Sequence, residues 1–127
     1  MKIGVPKEIK AQEDRVGLIP TSVRELAHRG HELLVQSSAG DGVGFGDDAY
    51  IGAGAKIAVS AEDVFAWADM IVKVKEPQAP ELGLLRPDQV LFTYLHLAAE
   101  PEQTQGLIES GCIAIAYETV TDDWGGL

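Results

Sequence analysis

The chain is poor in cysteine, in basic residues and in long apolar runs, and each shortage excludes something. Its single cysteine, Cys112, rules out an internal disulfide and leaves no zinc-binding pattern. Standing at the head of an apolar run, Cys112 reads as a small core residue. Ten basic side chains against twenty acidic ones give a net charge of −10. That charge repels polyphosphate, so nucleic acid and anionic membrane are excluded as partners. A small anionic substrate is still allowed where a local field opposes the net charge. No apolar run approaches the length of a membrane span, and residues 1–10 lack the apolar centre of a signal peptide. The expectation is a soluble, cytoplasmic protein. A dinucleotide fingerprint is missing as well. In Gly40-Asp41-Gly42-Val43-Gly44-Phe45-Gly46 the glycines fall at every second position, and Asp47 stands where the third glycine of a G-x-G-x-x-G would be needed. The loop reads as a tight surface turn using positive φ at several glycines, with no cofactor-binding residue in it.

The rest of the composition is that of one globular domain. Across 127 residues, 46% are apolar and 24% charged, enough to bury roughly two thirds of the unfolded surface. Strand-like runs fall at 2–5, 32–36, 55–59, 70–74, 90–95 and 113–117. Helical patterns separate them. One opens at Pro20 with Ser22 and Glu25 at capping-box spacing and closes on Gly30. A short one covers 47–53, capped by Asp47. One is capped by Ser60, with Asp63 at the box position. A weak helix or turn lies around 80–85, and a last helix starts at Pro101 and ends at Gly111. Strand and helix alternate six times across short loops, which predicts an α/β, doubly wound, mostly parallel open sheet of Rossmann- or flavodoxin-like type.

In such a sheet the carboxyl ends of the strands share one rim, where ligands bind. Three apolar runs end there on residues suited to chemistry: Lys75 after 71–74, His96 after 90–95 and Glu118 after 113–117. Lys73 and Lys75 lie two apart, which puts them on one strand face, either as a solvated pair or as a pair in which partial burial lowers one pKa. Tyr94 and His96 share a face by the same rule. Arg15, within Glu13-Asp14-Arg15-Val16-Gly17, follows the first strand. It is either half of a surface ion pair or a planar fork for a small carboxylate. Glu118 is open to three readings: acceptor for a neighbour, cap, or cation ligand.

Together these segments resemble the N-terminal domain of the alanine dehydrogenase and pyridine nucleotide transhydrogenase family. The resemblance rests on Ile3-Gly4-Val5-Pro6-Lys7-Glu8, on Arg15-Val16 running to Pro20, and on Lys73-Val74-Lys75-Glu76-Pro77. It continues in Leu91-Phe92-Thr93-Tyr94-Leu95-His96-Leu97-Ala98 and Ala114-Ile115-Ala116-Tyr117-Glu118-Thr119-Val120. The Phe-Thr-Tyr-Leu-His-Leu-Ala run resembles the alanine enzymes more closely than the transhydrogenases. The resemblance implies NAD-dependent, reversible oxidative deamination of L-alanine to pyruvate and ammonia. It implies that Arg15 holds the substrate carboxylate, that Lys75 polarises the carbonyl oxygen, that His96 is the general acid/base, and that Tyr94 lines the pocket. It also implies a place for Glu118 in a magnesium site, and assembly into a homo-oligomer of hexameric type. Such enzymes carry NAD on a second, Rossmann-type domain. On this reading residues 1–127 are the substrate-side domain alone, inactive in isolation, ending near 124–127 where the crossing to the cofactor domain begins. The alternatives are a non-catalytic module binding a small carboxylate or a protein, and one half of a split transhydrogenase-like enzyme.

Overall fold

The computed structural model describes residues 1–96 and 101–121; the 124–127 stretch assigned to the domain crossing lies outside them. Six strands, β1 (Lys2–Val5), β2 (Glu32–Gln36), β3 (Lys56–Ala58), β4 (Met70–Val72), β5 (Val90–Thr93) and β6 (Ile113–Ala116), form one sheet in the order β3-β2-β1-β4-β5-β6. Every pairing is parallel. This is the doubly wound nucleotide-fold order, whose direction of winding reverses between β1 and β4. The expected architecture is therefore present, with strands β3, β4 and β5 shorter than their apolar runs. The runs overshoot because residues 73–75 and 94–95 carry on past the last ladder positions into the rim.

Helices α1 (Pro20–His28), α2 (Asp47–Gly52), α3 (Ala61–Trp67), α4 (Ala79–Leu82) and α5 (Pro101–Ser110) flank the sheet. Alternation along the strands divides the core in two. Ile3, Val5, Leu33 and Val35 pack with Val23 and Tyr50 on one side. Val64, Phe65, Ile71, Leu91 and Leu107 pack on the other. Gly4 faces this second layer, where a Cβ would stand 2.7 Å from Val64 Cγ1 and 2.8 Å from Ala68 Cβ. Its bare backbone lets α3 lie close against β1. On edge strand β6, Ile113 and Ile115 are 51% and 40% exposed, so its apolar run is not buried as the inner strands are. Cys112 is correspondingly half-buried and free.

Local signals were realised unevenly. The Ser60 hydroxyl accepts the Asp63 N–H at 3.2 Å, as expected. α1 begins at Pro20, as expected, but the Ser22–Glu25 box does not form: Ile19 is the cap residue and Ser22 lies inside the first turn. Pro20 fits there because its fixed φ suits a first helical residue, and Glu25 pairs with Arg29 instead. Asp47 is the first residue of α2, not its cap. Its carboxylate takes the Ser37 hydroxyl at 2.7 Å and the Ser38 N–H at 2.8 Å, which ties the glycine loop back to β2. These bonds, Ser37 first, hold the Asp47 carboxyl below its usual value. At the start of α4 the Glu81 side chain accepts the Gln78 N–H at 2.9 Å, and the Glu81 N–H returns to the Gln78 carbonyl at 2.8 Å.

Within the glycine loop only Gly44 has positive φ, at 84°. Gly40 and Gly42 are needed for room instead. A Cβ would stand 2.5 Å from the Phe45 carbonyl oxygen at Gly40 and 2.6 Å from the Asp14 carbonyl oxygen at Gly42. The expectation of several positive-φ glycines is thus corrected: close backbone approach, rather than handedness, explains this loop.

Candidate functional site

The winding reversal brings the loop after β1 beside the chain leaving β4. Lys7 N–H binds Gln36 Oε1 at 2.8 Å, fixing the loop to the end of β2. The next residue, Glu8, turns inward. Its carboxylate accepts the Lys73 ammonium at 3.1 Å, the Val74 N–H at 3.2 Å and the Lys75 N–H at 3.0 Å. Lys73 is 1% exposed and also lies 3.0 Å from Glu81 Oε2, an ionic contact off the hydrogen-bond axis. Burial pushes the Glu81 carboxyl up, against the pull of Lys73 and of the Gln78 N–H. Two carboxylates thus share one buried cation, which corrects the solvated-pair reading of Lys73 and Lys75. The strand ends at Val72, Lys73 goes into the core, and Lys75 is left half-buried at the rim.

Lys75 is held from its other side as well. The Thr93 hydroxyl donates to its carbonyl at 2.9 Å, and the Tyr117 hydroxyl donates to the Lys73 carbonyl. The Lys75 ammonium sits 5.3 Å from the centre of the Tyr94 ring, within cation–π reach. Tyr94 in turn stacks on His96, with centroids 5.6 Å apart and planes at 25°, and its hydroxyl lies 3.1 Å from His96 Nδ1. The two rings meet as expected, although strand β5 stops at Thr93. The chain turns out of the sheet, His96 adopts a left-handed φ of 52°, and its side chain is exposed.

Glu118 makes this turn possible. Its carboxylate accepts the Leu95 N–H at 3.2 and 3.3 Å and the His96 N–H at 3.0 Å. Burial pushes its carboxyl up, but the backbone N–H groups of His96, Glu118 and Leu95 outweigh that and leave it below its usual value. Both oxygens are therefore engaged by backbone donors. Among the described residues no three His, Cys, Asp or Glu side chains gather as a metal site. Of the three readings of Glu118, the geometry gives the acceptor for a neighbour and does not fit a magnesium ligand.

Arg15 reaches the rim on the loop after β1. Glu13 grips it sideways, taking Nε at 3.0 Å and Nη2 at 2.8 Å, and also accepts the Arg15 N–H at 2.8 Å. The Arg15 side chain is 63% exposed while that of Glu13 is 6% exposed. The Arg15 hydrogen bond lowers the Glu13 carboxyl most, and the Lys75 charge adds to it. Glu13 is thus bonded by Arg15 and feels the Lys75 charge as well. Gly17 keeps this loop against β4, since a Cβ there would fall 2.4 Å from the Val72 carbonyl oxygen. A cleft of about 210 Å³ beside Arg15 is lined by Glu8, Glu13, Ser38 and Asp41, and not by Lys75, Tyr94 or His96. A roomier cleft of about 440 Å³ between α4 and α5 carries Glu109 and Ser110 but no cationic residue, so size alone does not mark the chemistry.

Lys75, Tyr94, His96 and Glu118 therefore form one run of contacts, while Arg15 is bonded to Glu13 on the loop after β1 and lines a cleft that the others do not. Sequence reasoning passed over Glu8, Glu13 and Thr93. The rim rule applied to β1 would have flagged Glu8, since it sits just past that strand's carboxyl end as Lys75 sits past β4. No signal in the sequence distinguishes Thr93 from an ordinary strand threonine.

Residues 4–126 match the family model described as alanine dehydrogenase/PNT, N-terminal domain. The chain is 53% identical to the alanine dehydrogenase of Halomonas elongata over all 127 residues, which span 34% of that protein. It is 52% identical to that of Bacillus subtilis over 122 residues, covering 96% of this chain and 32% of the other. Among solved structures, an L-alanine dehydrogenase superposes with a TM-score of 0.95 at 52% identity, covering 99% of this chain and 35% of that one. A transhydrogenase from Sinorhizobium meliloti superposes at 0.87 with 29% identity, covering 93% of this chain and 34% of that one. The chain spans about a third of the length of these relatives. With the family's motifs in register from the first strand to the last and the same fold beneath them, the chain belongs to the alanine dehydrogenase/PNT N-terminal domain family.

Proposed function

We propose that this chain is the substrate-side domain of an NAD-dependent alanine dehydrogenase, interconverting L-alanine with pyruvate and ammonia. The observation that carries the proposal is the run of contacts from Lys75 through Tyr94 to His96 past the strand ends, with Arg15 exposed on the loop after β1, on the framework these relatives share. An α-keto acid needs a cation for its carboxylate, a donor for its carbonyl oxygen and a group that moves a proton. In this reading Arg15 takes the carboxylate on the guanidinium end that Glu13 leaves free. Lys75 donates to the carbonyl oxygen, where negative charge grows as the carbon is reduced. His96 gives and takes the proton at the reacting carbon's oxygen or amine. The Tyr94 hydroxyl lies 3.1 Å from Nδ1; with that hydroxyl as donor, the neutral ring carries its proton on Nε2, the nitrogen this reading turns to the substrate.

The glycine loop does not fit the pyrophosphate of a nicotinamide nucleotide. Gly40 and Gly42, which a pyrophosphate would have to approach, are already packed against Phe45 and Asp14. The proposal therefore assigns NAD to the part of the enzyme outside these residues and derives no step through it. Magnesium has no place in the proposal either, because Glu118 is engaged by backbone N–H groups. The substrate is a small carboxylate, not nucleic acid. No described helix is long and apolar enough to cross a membrane. A homo-oligomer, cytoplasmic in location, belongs to the proposal through the resemblance.

The test is an assay of the full-length protein for reductive amination of pyruvate with NADH and ammonium. Activity that Lys75→Met removes by roughly a hundredfold or more is expected, as for loss of an oxyanion-stabilising donor. Full activity in that variant would contradict the proposal.

A further inference from the structure

Glu8 spends a buried charge on the backbone of the segment that carries Lys75. Burying a carboxylate is costly unless it is paired and hydrogen-bonded. Here the pairing comes from Lys73, and the remaining acceptor capacity goes to the N–H groups of Val74 and Lys75. These donors lie beyond the last β4 ladder residue, Val72, so they need a partner from outside the strand. On the opposite side the Thr93 hydroxyl, 0% exposed, closes on the Lys75 carbonyl at 2.9 Å. The main chain of Lys75 is thus gripped at both its polar groups, by side chains from β5 and from the loop after β1. Glu81 offers the contrast. It touches the same buried ammonium, but its other bonds go to its own helix cap.

We infer that Glu8 and Thr93 are positioning residues for Lys75: they fix its backbone so that its ammonium stands at one place on the rim, with Lys73 as the buried partner of the Glu8 carboxylate. The inference rests on the proposed role of Lys75 in the reaction. A displacement of about 1 Å at a reacting group costs on the order of a hundredfold in rate, so the clamp has a kinetic consequence as well as a structural one.

Four variants of the full-length enzyme test it: Glu8→Gln, Thr93→Val, Glu81→Gln and Lys75→Met, each measured for melting temperature and for kcat and KM with pyruvate. Glu8→Gln keeps the reach of the side chain but turns one acceptor into a donor facing the same N–H groups. Thr93→Val keeps shape and removes only the hydroxyl, so it remains informative where Glu8→Gln fails to fold. The expected result is a roughly ten- to hundredfold fall in kcat/KM for Glu8→Gln and Thr93→Val. Glu81→Gln should lower the melting temperature with kcat/KM within about twofold of the parent. Loss of activity in Lys75→Met alone, with Glu8→Gln or Thr93→Val melting lower but turning over normally, overturns the positioning role and leaves the reaction assignment standing. Normal turnover in Lys75→Met overturns both. An equal loss in Glu81→Gln also overturns the clamp, since a generally softened core would then account for the data.

Discussion

His96 is the residue on which a structural and a chemical role can be separated most cleanly. Its ring is exposed and, among the described residues, meets the Tyr94 hydroxyl, so little packing is at stake. In the full-length protein, His96→Ala should lower turnover by roughly a hundredfold to ten-thousandfold, the range of a general acid/base, while shifting the melting temperature little. Arg15→Ala should act mainly on KM, because the carboxylate it holds keeps its charge through the reaction. Steady-state rates and melting curves on the two variants check this; a destabilised His96→Ala enzyme with unchanged turnover would remove His96 from the mechanism. At this scale the sequence was most legible where a polar residue interrupts an apolar run. Lys75 and His96 stand out that way. Glu8 does not, because its meaning depends on Lys73, sixty-five positions away, and the winding of the sheet alone brings them together.

At the scale of elements, the loops that carry the site are pinned by close approach and by buried carboxylates. The loop bearing Arg15 crosses the end of β4 at Gly17, where a side chain has no room beside the Val72 carbonyl. Gly17→Ala should push that loop outward and raise KM for pyruvate about tenfold, on the usual sensitivity of rate to misplacement, with kcat changed less. An unchanged KM would show that the loop's path does not set the position of Arg15. Asp47 ties the glycine loop to β2, and its carboxyl is depressed by Ser37 and Ser38. A carboxyl depressed in the folded state gives its stability fully above the unfolded value of about 3.9, and loses it as the pH falls through the folded value. Asp47→Asn should therefore melt lower than the parent at pH 7, with the gap closing below about pH 4. A gap independent of pH would contradict that reading. Element type and order were legible because apolar period and caps agree along most of the chain. Boundaries were not, since the apolar runs 70–74 and 90–95 continue past the regular strands into rim segments joined by two further backbone bonds, Lys73 N–H to Phe92 and Tyr94 N–H to Val74, and otherwise held by side chains. The Ser22–Glu25 spacing also misled, because Pro20 had already begun the helix.

Across the whole molecule, a net charge of −10 coexists with a rim that presents Arg15 exposed and Lys75 half-buried. The field felt by a small anion is set locally, by which charges lie within a few ångströms and which are already paired. Lys73, the third cation of this region, is neutralised within the core and lends the rim no charge. This division of the lysines, one structural and one presented, is the central claim about the site. It is tested most directly by a crystal structure of the full-length protein with pyruvate bound. The account predicts the pyruvate carboxylate on the Arg15 guanidinium, its carbonyl oxygen within hydrogen-bond distance of the Lys75 ammonium and His96 Nε2, and Lys73 still enclosed by Glu8 and Glu81. Pyruvate bound away from Lys75 and His96, or Lys73 turned out to meet it, would contradict the account.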